Sequence, residues 1–220
     1  MRLRTFVFAV LFVVFMGIVM FLIAGTIKIP SIWVYLAIRV IFSLACVLAM
    51  SESTARERLK PGQGAKSEPL FNIGSGAMWI AHIVIASLDL GRFHWSVCFP
   101  VWLQVIGVIG MLLGLMQPVW AVRHNEYLSA KIRIQSDLGQ KVVTTGPYAI
   151  IRHPNNAGGV INALMSSLVF GSWLSIPPML VWCGLMAYRT LYEEKMLFAE
   201  LKGYPEYAQK VRYRFFPGIW

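Results

Sequence analysis

The sequence predicts an all-α fold, namely a polytopic transmembrane helical bundle of about five to six spans. Its 220 residues are 57% hydrophobic and only 14% charged, with a mean hydropathy of +0.62. The apolar residues fall in runs of about 20, the length that crosses a bilayer as a helix. Lys and Arg concentrate in the polar segments between those runs. This composition excludes a soluble domain with a large core.

The first two spans are predicted over residues 5–27 and 32–50, with a tight reversal around Pro30. The first apolar run is too long for the core of a typical signal peptide and lacks a clear cleavage site, so we expect it to be retained. Arg39 lies near the middle of the second span, where a charge needs a partner. It could face a substrate or lock the bundle, and the sequence leaves both readings open.

The third span is predicted over residues 76–90, after a polar connection over residues 51–75. It contains His82, and a lone histidine on an apolar helix is more often a packed, hydrogen-bonded residue than a ligand. The fourth span is predicted over residues 100–122. Its Gly110 and Gly114 form a small-xxx-small pair, which favours close helix packing within the bundle.

A second polar loop is predicted over residues 123–145. Two further helices, over residues 157–171 and 177–202, should form a hairpin, because a short turn separates them. The tail over residues 204–220 alternates aromatic and basic residues, which suits an interfacial segment that caps the bundle.

We expect one domain over residues 1–220, with the spans in residues 1–122 and the functional half in residues 123–220. With the N-terminus in the cytoplasm, 17 of the 20 Lys and Arg residues fall on the cytoplasmic side; the exceptions are Lys28, Arg39 and Arg92. The positive-inside rule therefore predicts a multi-pass integral membrane protein with cytoplasmic N- and C-termini.

The net positive charge does not indicate a nucleic-acid partner, because no long run of basic residues is joined to a soluble module. Membrane lipids, whose headgroups are often anionic, are the partners that it favours. The three cysteines, Cys46, Cys98 and Cys183, lack metal-ligand spacing and are too few and odd in number for a disulfide framework. We expect buried, unreactive thiols and no metal.

A polar segment of the C-terminal half, residues 144–159, lies beside a predicted membrane span. Gly146-Pro147 is a turn signal, and Pro154 biases His153 out of the helical region, so that a new element must begin near Pro154. Polar, irregular backbone beside a bilayer is tolerated where protein or a wet cavity surrounds it. The segment therefore indicates a ligand cavity on the cytoplasmic side, or else a solvated loop with an ordinary Arg-His pair.

A second polar group lies near the end of the last long helix. Arg189 and Glu193 are four residues apart and share a helix face. They could clamp a ligand that carries both charges, or they could neutralise each other as an interface ion pair.

These segments carry a resemblance to a known family. The motifs, in order, are Gly146-Pro147-Tyr148-x-x-x-Arg152-His153-Pro154, Arg189-x-x-x-Glu193-Glu194, and Leu201-x-Gly203-Tyr204-x-x-Tyr207 with Val211-x-x-Arg214-x-x-Pro217. Together they resemble the isoprenylcysteine carboxyl methyltransferases, and the related phospholipid methyltransferases share much of the pattern. The resemblance covers residues 135–220, whereas the first four spans are similar only in hydropathy and position.

The resemblance implies an integral membrane enzyme whose C-terminal half builds a cytoplasm-facing site for S-adenosylmethionine. A lipid-like or prenylated acceptor would enter from the bilayer. Arg189 would hold the acceptor and act in catalysis with Glu193. The implied cofactor residues are Gln140, Lys141, Val142, Val143, Tyr148, His153, Pro154, Asn155, Asn156 and Glu193. The family usually has an aromatic residue where this chain has Asn156, which puts one aromatic contact to the cofactor in doubt.

The implied reaction is carboxyl O-methylation of an isoprenylcysteine-like acceptor. A carboxylate is already ionised and needs positioning more than a base. Phospholipid N-methylation is the nearest alternative, and it would require Glu193, Glu194 or His153 as a base. An NADPH-dependent sterol or enone reductase is a further alternative, which Pro154 and the Glu193-Glu194 pair disfavour, and a non-enzymatic membrane scaffold is the last.

Overall fold

The computed structural model describes residues 2–52, 54–55, 68–129 and 131–220. Within these ranges it contains seven α-helices and no strand, which confirms the predicted all-α class. Much of the polar connection predicted over residues 51–75 lies outside the described residues. The helices are α1 (Arg2–Ala24), α2 (Pro30–Ala49), α3 (Pro69–Leu88), α4 (Val101–His124), α5 (Pro154–Phe170), α6 (Ile176–Glu200) and α7 (Tyr204–Lys210).

Four helical segments of the described chain are long and apolar enough to cross a membrane. They are Leu3–Ala24, Pro30–Ala49, Pro69–Phe93 and Val101–His124. The α5–α6 hairpin packs beside them, so that six helices form the bundle. The helices α1 to α4 carry many exposed Leu, Ile, Val and Phe side chains, as expected of surfaces that face lipid.

The third span was predicted over residues 76–90, and this range is too short. Pro69 stands at the first helical position, where its missing N–H costs no hydrogen bond, and α3 begins there. Leu70 and Ile73 continue the apolar surface through the segment that was predicted as loop. Beyond α3 the chain continues as a π-helical turn, Asp89–Phe93.

The helices α4 and α5 cross in close contact. A Cβ added at Gly114 would stand 2.7 Å from Ile161, and one at Gly158 would stand 2.5 Å from the backbone oxygen of Gly114. Because real Cβ atoms do not approach so closely, glycine is required on both helices at this crossing. The prediction that Gly110 and Gly114 pack within the bundle is confirmed.

A polar network joins the helices at the end of the bundle that we call the far end. The carboxylate of Asp89 accepts hydrogen bonds from Ser96 Oγ at 2.6 Å and from Ser172 Oγ at 2.5 Å. Arg92 Nε donates to the carbonyl oxygen of Ile23 at 2.6 Å. These contacts place the last turns of α1, α3 and α5 together. The last turns of α2, α4 and α6 therefore lie at the opposite end, which we call the pocket end.

Two polar residues within the spans have structural partners. His82 is buried, with Nδ1 3.0 Å from the carbonyl oxygen of Ser175 and Nε2 2.9 Å from Ser166 Oγ, as expected of a packed histidine. Arg39 is partly buried and donates from Nη1 to Asn162 Oδ1 at 3.4 Å. This contact joins α2 to α5 and favours the bundle-locking interpretation of Arg39.

The expectation of three buried cysteines is wrong in part. Cys46 is buried, Cys183 is half-buried and Cys98 is exposed. Cys98 lies in the turn between α3 and α4 at the far end, and the side chains of turns are commonly exposed.

Candidate functional site

A pocket opens at the pocket end of the bundle, between the loop that follows α4, the turn Gly146–Ala149, the start of α5 and the second half of α6. It is lined by every residue that the resemblance implied for the cofactor: Gln140, Lys141, Val142, Val143, Tyr148, His153, Pro154, Asn155, Asn156 and Glu193. Segments up to 53 residues apart in the sequence thus share one cavity. The cofactor-binding role of these residues stays a prediction.

The Arg152-His153 segment is non-helical, as the following proline predicts. His153 has φ −126° and ψ 62°, and α5 begins at Pro154. The backbone N–H groups of Arg152 and His153 donate to the carbonyl oxygens of Tyr213 (2.9 Å) and Arg214 (3.0 Å). The C-terminal tail is therefore fastened along the segment that forms one wall of the pocket, which places both side chains.

A buried charge cluster stands behind this wall, made of Glu194, Arg152, His153 and Arg214. Glu194 is 3% exposed, and its carboxylate accepts hydrogen bonds from Arg152 Nε at 2.6 Å and from Arg214 Nε at 2.7 Å. Arg152 also donates from Nη1 to two carbonyl oxygens of the tail, at 2.9 and 2.8 Å. The Glu194 cluster thus joins α6, the start of α5 and the tail.

Electrostatics keep Glu194 ionised. Burial raises the pKa of its carboxyl group, but the hydrogen bonds and charges of His153, Arg152 and Arg214 outweigh that effect and lower the pKa to about 2. His153 Nε2 stands 3.2 Å from Glu194 Oε1. Because an ionised carboxylate only accepts hydrogen bonds, Nε2 must carry a proton. In the neutral ring, Nδ1 is then the acceptor nitrogen.

Glu193 has a different environment from its neighbour. Its side chain is 30% exposed and lines the pocket, with Oε2 3.9 Å from His153 Nδ1, too far for a hydrogen bond. Successive residues of a helix point about 100° apart, so Glu193 can face the cavity while Glu194 faces the tail. Glu193 therefore brings an accessible negative charge to the pocket wall.

Two tyrosines of the pocket lining, Tyr148 and Tyr207, are joined by a hydrogen bond. The hydroxyl of Tyr148 accepts from Asn125 Nδ2 at 3.0 Å, and its backbone oxygen accepts from the buried hydroxyl of Tyr207 at 2.7 Å. Asn156, the departure from the family pattern, donates to Thr190 Oγ1 at 3.1 Å. Asn156 thus joins α5 to α6 beside the cavity, where the family usually has an aromatic ring.

Arg189 lies outside the lining of this pocket, one helical turn from Glu193 toward the far end. Its Nε donates to Glu68 Oε2 at 3.0 Å, and its guanidinium lies 4.8 Å from the ring centre of Phe71. The sequence analysis gave an Arg189–Glu193 ion pair as one alternative. In the structure Arg189 pairs with Glu68, which lies 121 residues away in the sequence, just before α3.

The sequence analysis missed several lining residues: Asn125, Tyr127, Arg133, Met196, Leu197, Tyr204 and Tyr207. The two late tyrosines belong to a motif that the analysis quoted, so their signal was available. The loop residues follow no pattern that marks them. In the described part of the chain, no group of three His, Cys, Asp or Glu side chains could hold a metal ion.

Part of the sequence matches a known protein family, and the fold matches a solved structure. Residues 102–201 match the model of the phospholipid methyltransferase family. The fold is similar to that of a solved eukaryotic intramembrane Ras methyltransferase, an isoprenylcysteine carboxyl methyltransferase, with a TM-score of 0.56 and 21% sequence identity. The alignment covers 94% of this chain and 74% of the other. No curated protein matches the sequence.

The fold and the family match together support a membrane methyltransferase. Within that class, the resemblance to the phospholipid methyltransferases and the isoprenylcysteine carboxyl methyltransferases, read from the motifs, is confirmed. The family match contains the residues of the pocket wall from Asn125 to Leu201 and ends before Tyr204.

Proposed function

We propose that this protein transfers a methyl group from S-adenosylmethionine to a lipid-like acceptor, most simply the carboxylate of an isoprenylcysteine-like molecule. The observation that carries the proposal is the convergence of all ten implied cofactor residues on one pocket. S-adenosylmethionine supplies, when bound, a methyl group on a positively charged sulfur.

The chemistry of the pocket suits such a ligand. The ammonium and sulfonium groups of S-adenosylmethionine are cations, and Glu193 offers them an accessible carboxylate. The carboxylate of S-adenosylmethionine needs a cation or N–H donors. Lys141 and the side-chain amides of Asn155 and Asn156 lie on the pocket lining and can provide them. Tyr127 and Tyr148 offer aromatic surface for the adenine. In this assignment Glu193 binds the cofactor and the Glu194 cluster keeps His153 and the pocket wall in place.

Arg189 is the residue proposed to hold the acceptor. Its planar guanidinium can bind a carboxylate through two parallel hydrogen bonds. One turn of α6, about 6 Å along the axis, separates it from Glu193. An acceptor held at Arg189 would thus present its oxygen near the cofactor while its apolar tail stays among the helices. Orientation of the acceptor toward the methyl group and exclusion of water from the site would then accelerate methyl transfer.

An amine acceptor is the second candidate, because the family match is to phospholipid methyltransferases. An ammonium must lose a proton before it can attack. Glu193 and the Nδ1 atom of His153 are the groups on the pocket wall that could take it.

We further propose that the pocket end, and with it both termini, faces the cytoplasm. Lys131, Arg133 and Lys141 lie in the loop at this end, whereas Lys28 and Arg92 lie at the far end. This asymmetry agrees with the positive-inside rule. Cysteine labelling from outside intact cells, at Cys98 and at an introduced Ser136→Cys, tests it: only Cys98 should react.

Calorimetric titration of the detergent-purified protein tests the cofactor. We expect S-adenosylmethionine to bind, NADPH not to bind, and Glu193→Ala to weaken S-adenosylmethionine binding by about tenfold or more, the loss expected for one charged hydrogen bond. Binding of NADPH alone would move the protein to the reductases. A folded protein that binds neither ligand would contradict the methyltransferase proposal.

Transfer of labelled methyl groups tests the acceptor. N-acetyl-S-farnesyl-L-cysteine provides a carboxylate and phosphatidylethanolamine provides an amine. We expect methylation of the first, and its loss in Arg189→Ala with the fold retained. Methylation of the amine lipid alone would select the second candidate, and full activity of the Arg189→Ala variant would remove Arg189 from the mechanism.

A further inference from the structure

We propose that the outer face of α6 binds an anionic phospholipid, with the phosphate at Lys195 and Arg214 and the acyl chains along the first half of the helix. The site is a groove between α6 and the C-terminal tail, which we call the α6 groove. Of the described residues, none lines both this groove and the candidate methyl-donor pocket. The inference goes beyond the proposed function and does not depend on it, because neither a methyl donor nor an acceptor takes part.

The α6 groove is large and open. Its volume is about 610 Å³, within the range of about 300–1,000 Å³ that is usual for sites that bind small molecules. The tail contributes Arg214, and α6 contributes Tyr188, Leu191, Tyr192, Lys195 and Phe198. The three aromatic side chains and Leu191 are between 38% and 51% exposed, so the described chain leaves this apolar surface accessible to a lipid.

The order of side chains along this face of α6 matches the profile of a phospholipid. Val181, Tyr188 and Lys195 are seven residues apart and therefore share one face of the helix. Leu180 and Val181, toward the far end, are 56% and 54% exposed and suit acyl chains. Tyr188 and Tyr192 follow, and tyrosine favours the headgroup region of a bilayer. Lys195 comes last, near the pocket end, where a phosphate would lie.

Lys195 is placed to attract an anion. It is exposed, and the residues three and four positions before and after it on α6 carry no charge. No carboxylate therefore stands one helical turn away to compete for its ammonium group. A long lysine side chain at a membrane surface can lay its methylene groups on apolar neighbours and keep its charge at the headgroups. Basic residues in that position attract anionic lipids.

Arg214 supplies the second cation and holds it in a fixed place. Its Nε donates to Glu194 at 2.7 Å, and its guanidinium lies 5.0 Å from the ring centre of Trp220, yet 27% of the side chain remains exposed. Glu194, the carboxylate on the groove lining, is also bonded to Arg152 at 2.6 Å, so its charge is compensated. A phosphate in the groove would thus contact the outer side of the arginine that holds Glu194, and the lipid would support the pocket wall from outside.

Thermal unfolding of the purified full-length protein in detergent, followed by tryptophan fluorescence, tests the inference, since a ligand that binds the folded state raises the Tm as its concentration rises. The probes are dioctanoyl phosphatidylglycerol, dioctanoyl phosphatidylcholine, which has the same chains but no net charge, and inorganic phosphate. The variants are Lys195→Gln, which removes the charge, and Lys195→Arg, which keeps it. The control is Lys210→Gln, which removes a charge from an exposed position on α7.

We expect phosphatidylglycerol, at about ten times its dissociation constant, to raise the Tm of the wild type by about 3–5 °C. Phosphatidylcholine and inorganic phosphate should leave the Tm unchanged. Lys195→Gln should weaken the binding of phosphatidylglycerol about fivefold, the loss expected for one basic residue at an anionic lipid surface. Lys195→Arg and Lys210→Gln should bind it as the wild type does.

Four results would contradict the inference. Equal stabilisation by the two lipids would mean that the chains alone bind, and equal stabilisation by inorganic phosphate would mean an anion site that needs no lipid. The same loss of affinity in Lys195→Gln and Lys210→Gln would indicate a diffuse attraction of charge. If neither lipid raises the Tm, the inference fails, and a Tm that rises with protein concentration would then assign this face of α6 to a second copy of the chain.

Discussion

Replacing Glu194 with glutamine should destabilise the protein more than any other single charge neutralisation at the pocket end. The buried carboxylate is bonded to two arginines at 2.6 and 2.7 Å and to His153 at 3.2 Å. Its pKa falls from an ordinary 4.5 to about 2, which corresponds to about 3 kcal/mol of stabilisation at neutral pH. The amide would leave Arg152 and Arg214 without their counter-charge, a change that costs about 3–5 kcal/mol when such a pair is buried.

Thermal unfolding in detergent, followed by tryptophan fluorescence, measures the effect. For a chain of this length, 3 kcal/mol corresponds to a fall in Tm of about 10 °C. Glu193→Gln is the matched control, because it neutralises the neighbouring residue, which is 30% exposed on the pocket wall. We expect Glu193→Gln to stay within about 2 °C of the wild type, the ordinary range for a change outside a buried network.

The pH dependence gives an independent test of the same reasoning. The pKa of Glu194 is lower in the folded state than in the unfolded state, so its contribution is complete above pH 4.5 and is lost as the pH falls through about 2. Wild type should therefore lose stability over that interval by about 3 kcal/mol more than Glu194→Gln. A variant with wild-type Tm at pH 7, or with the same acid profile as wild type, would refute the assignment of Glu194 as the residue that holds the pocket wall.

Four further substitutions, one of them a control, test other parts of the structure. Gly158→Ala places a Cβ 2.5 Å from the backbone of α4 and should cost about 1–3 kcal/mol, whereas Gly184→Ala, which meets nothing within 4 Å, should be neutral or stabilising by up to about 1 kcal/mol in the same unfolding assay. Tyr207→Phe removes the hydrogen bond to the backbone oxygen of Tyr148 and should lower stability by about 1 kcal/mol; an unchanged Tm would mean that this bond holds nothing in place. Asp89→Ala leaves the hydroxyls of the far end without their acceptor, so we expect a lower Tm but unchanged S-adenosylmethionine affinity by calorimetry, and a weaker affinity would show that the two ends are coupled.

The fold was predictable where the signal was local. Runs of about 20 apolar residues identified the spans, and Pro154 identified where a new element begins, although the helix itself was predicted from residue 157, three residues after the observed start of α5. The start of α3 was predicted seven residues too late, because Asn72 and Ser75 give its first turns the polarity of a loop. In the structure Ser75 accepts a hydrogen bond from Trp182, a partner that lies 107 residues away and leaves no local pattern.

The candidate site, like the fold, was predictable only where the signal lies in a short stretch of sequence. The family motifs identified residues that line one pocket, since short motifs keep their spacing along the chain. They did not separate the roles of Glu193 and Glu194, because adjacent glutamates differ only in what they face once α6 is packed. The Glu68–Arg189 pair was not predictable either, since it joins residues 121 positions apart.

The pocket and the surroundings of Arg189 come from different parts of the chain, and this has a functional consequence. The pocket walls lie largely within residues 102–201, the part of the chain that matches the methyltransferase family, and they are held by contacts among α5, α6 and the tail. Glu68 and Phe71, which contact Arg189, lie immediately before and within the first turn of α3, outside that match. A change at either position can therefore alter what binds at Arg189 without disturbing Glu193 or the Glu194 cluster. In the proposed function, the methyl donor and the acceptor are thus recognised by separately variable parts of the chain, and variants of Glu68 should change acceptor affinity at constant affinity for S-adenosylmethionine.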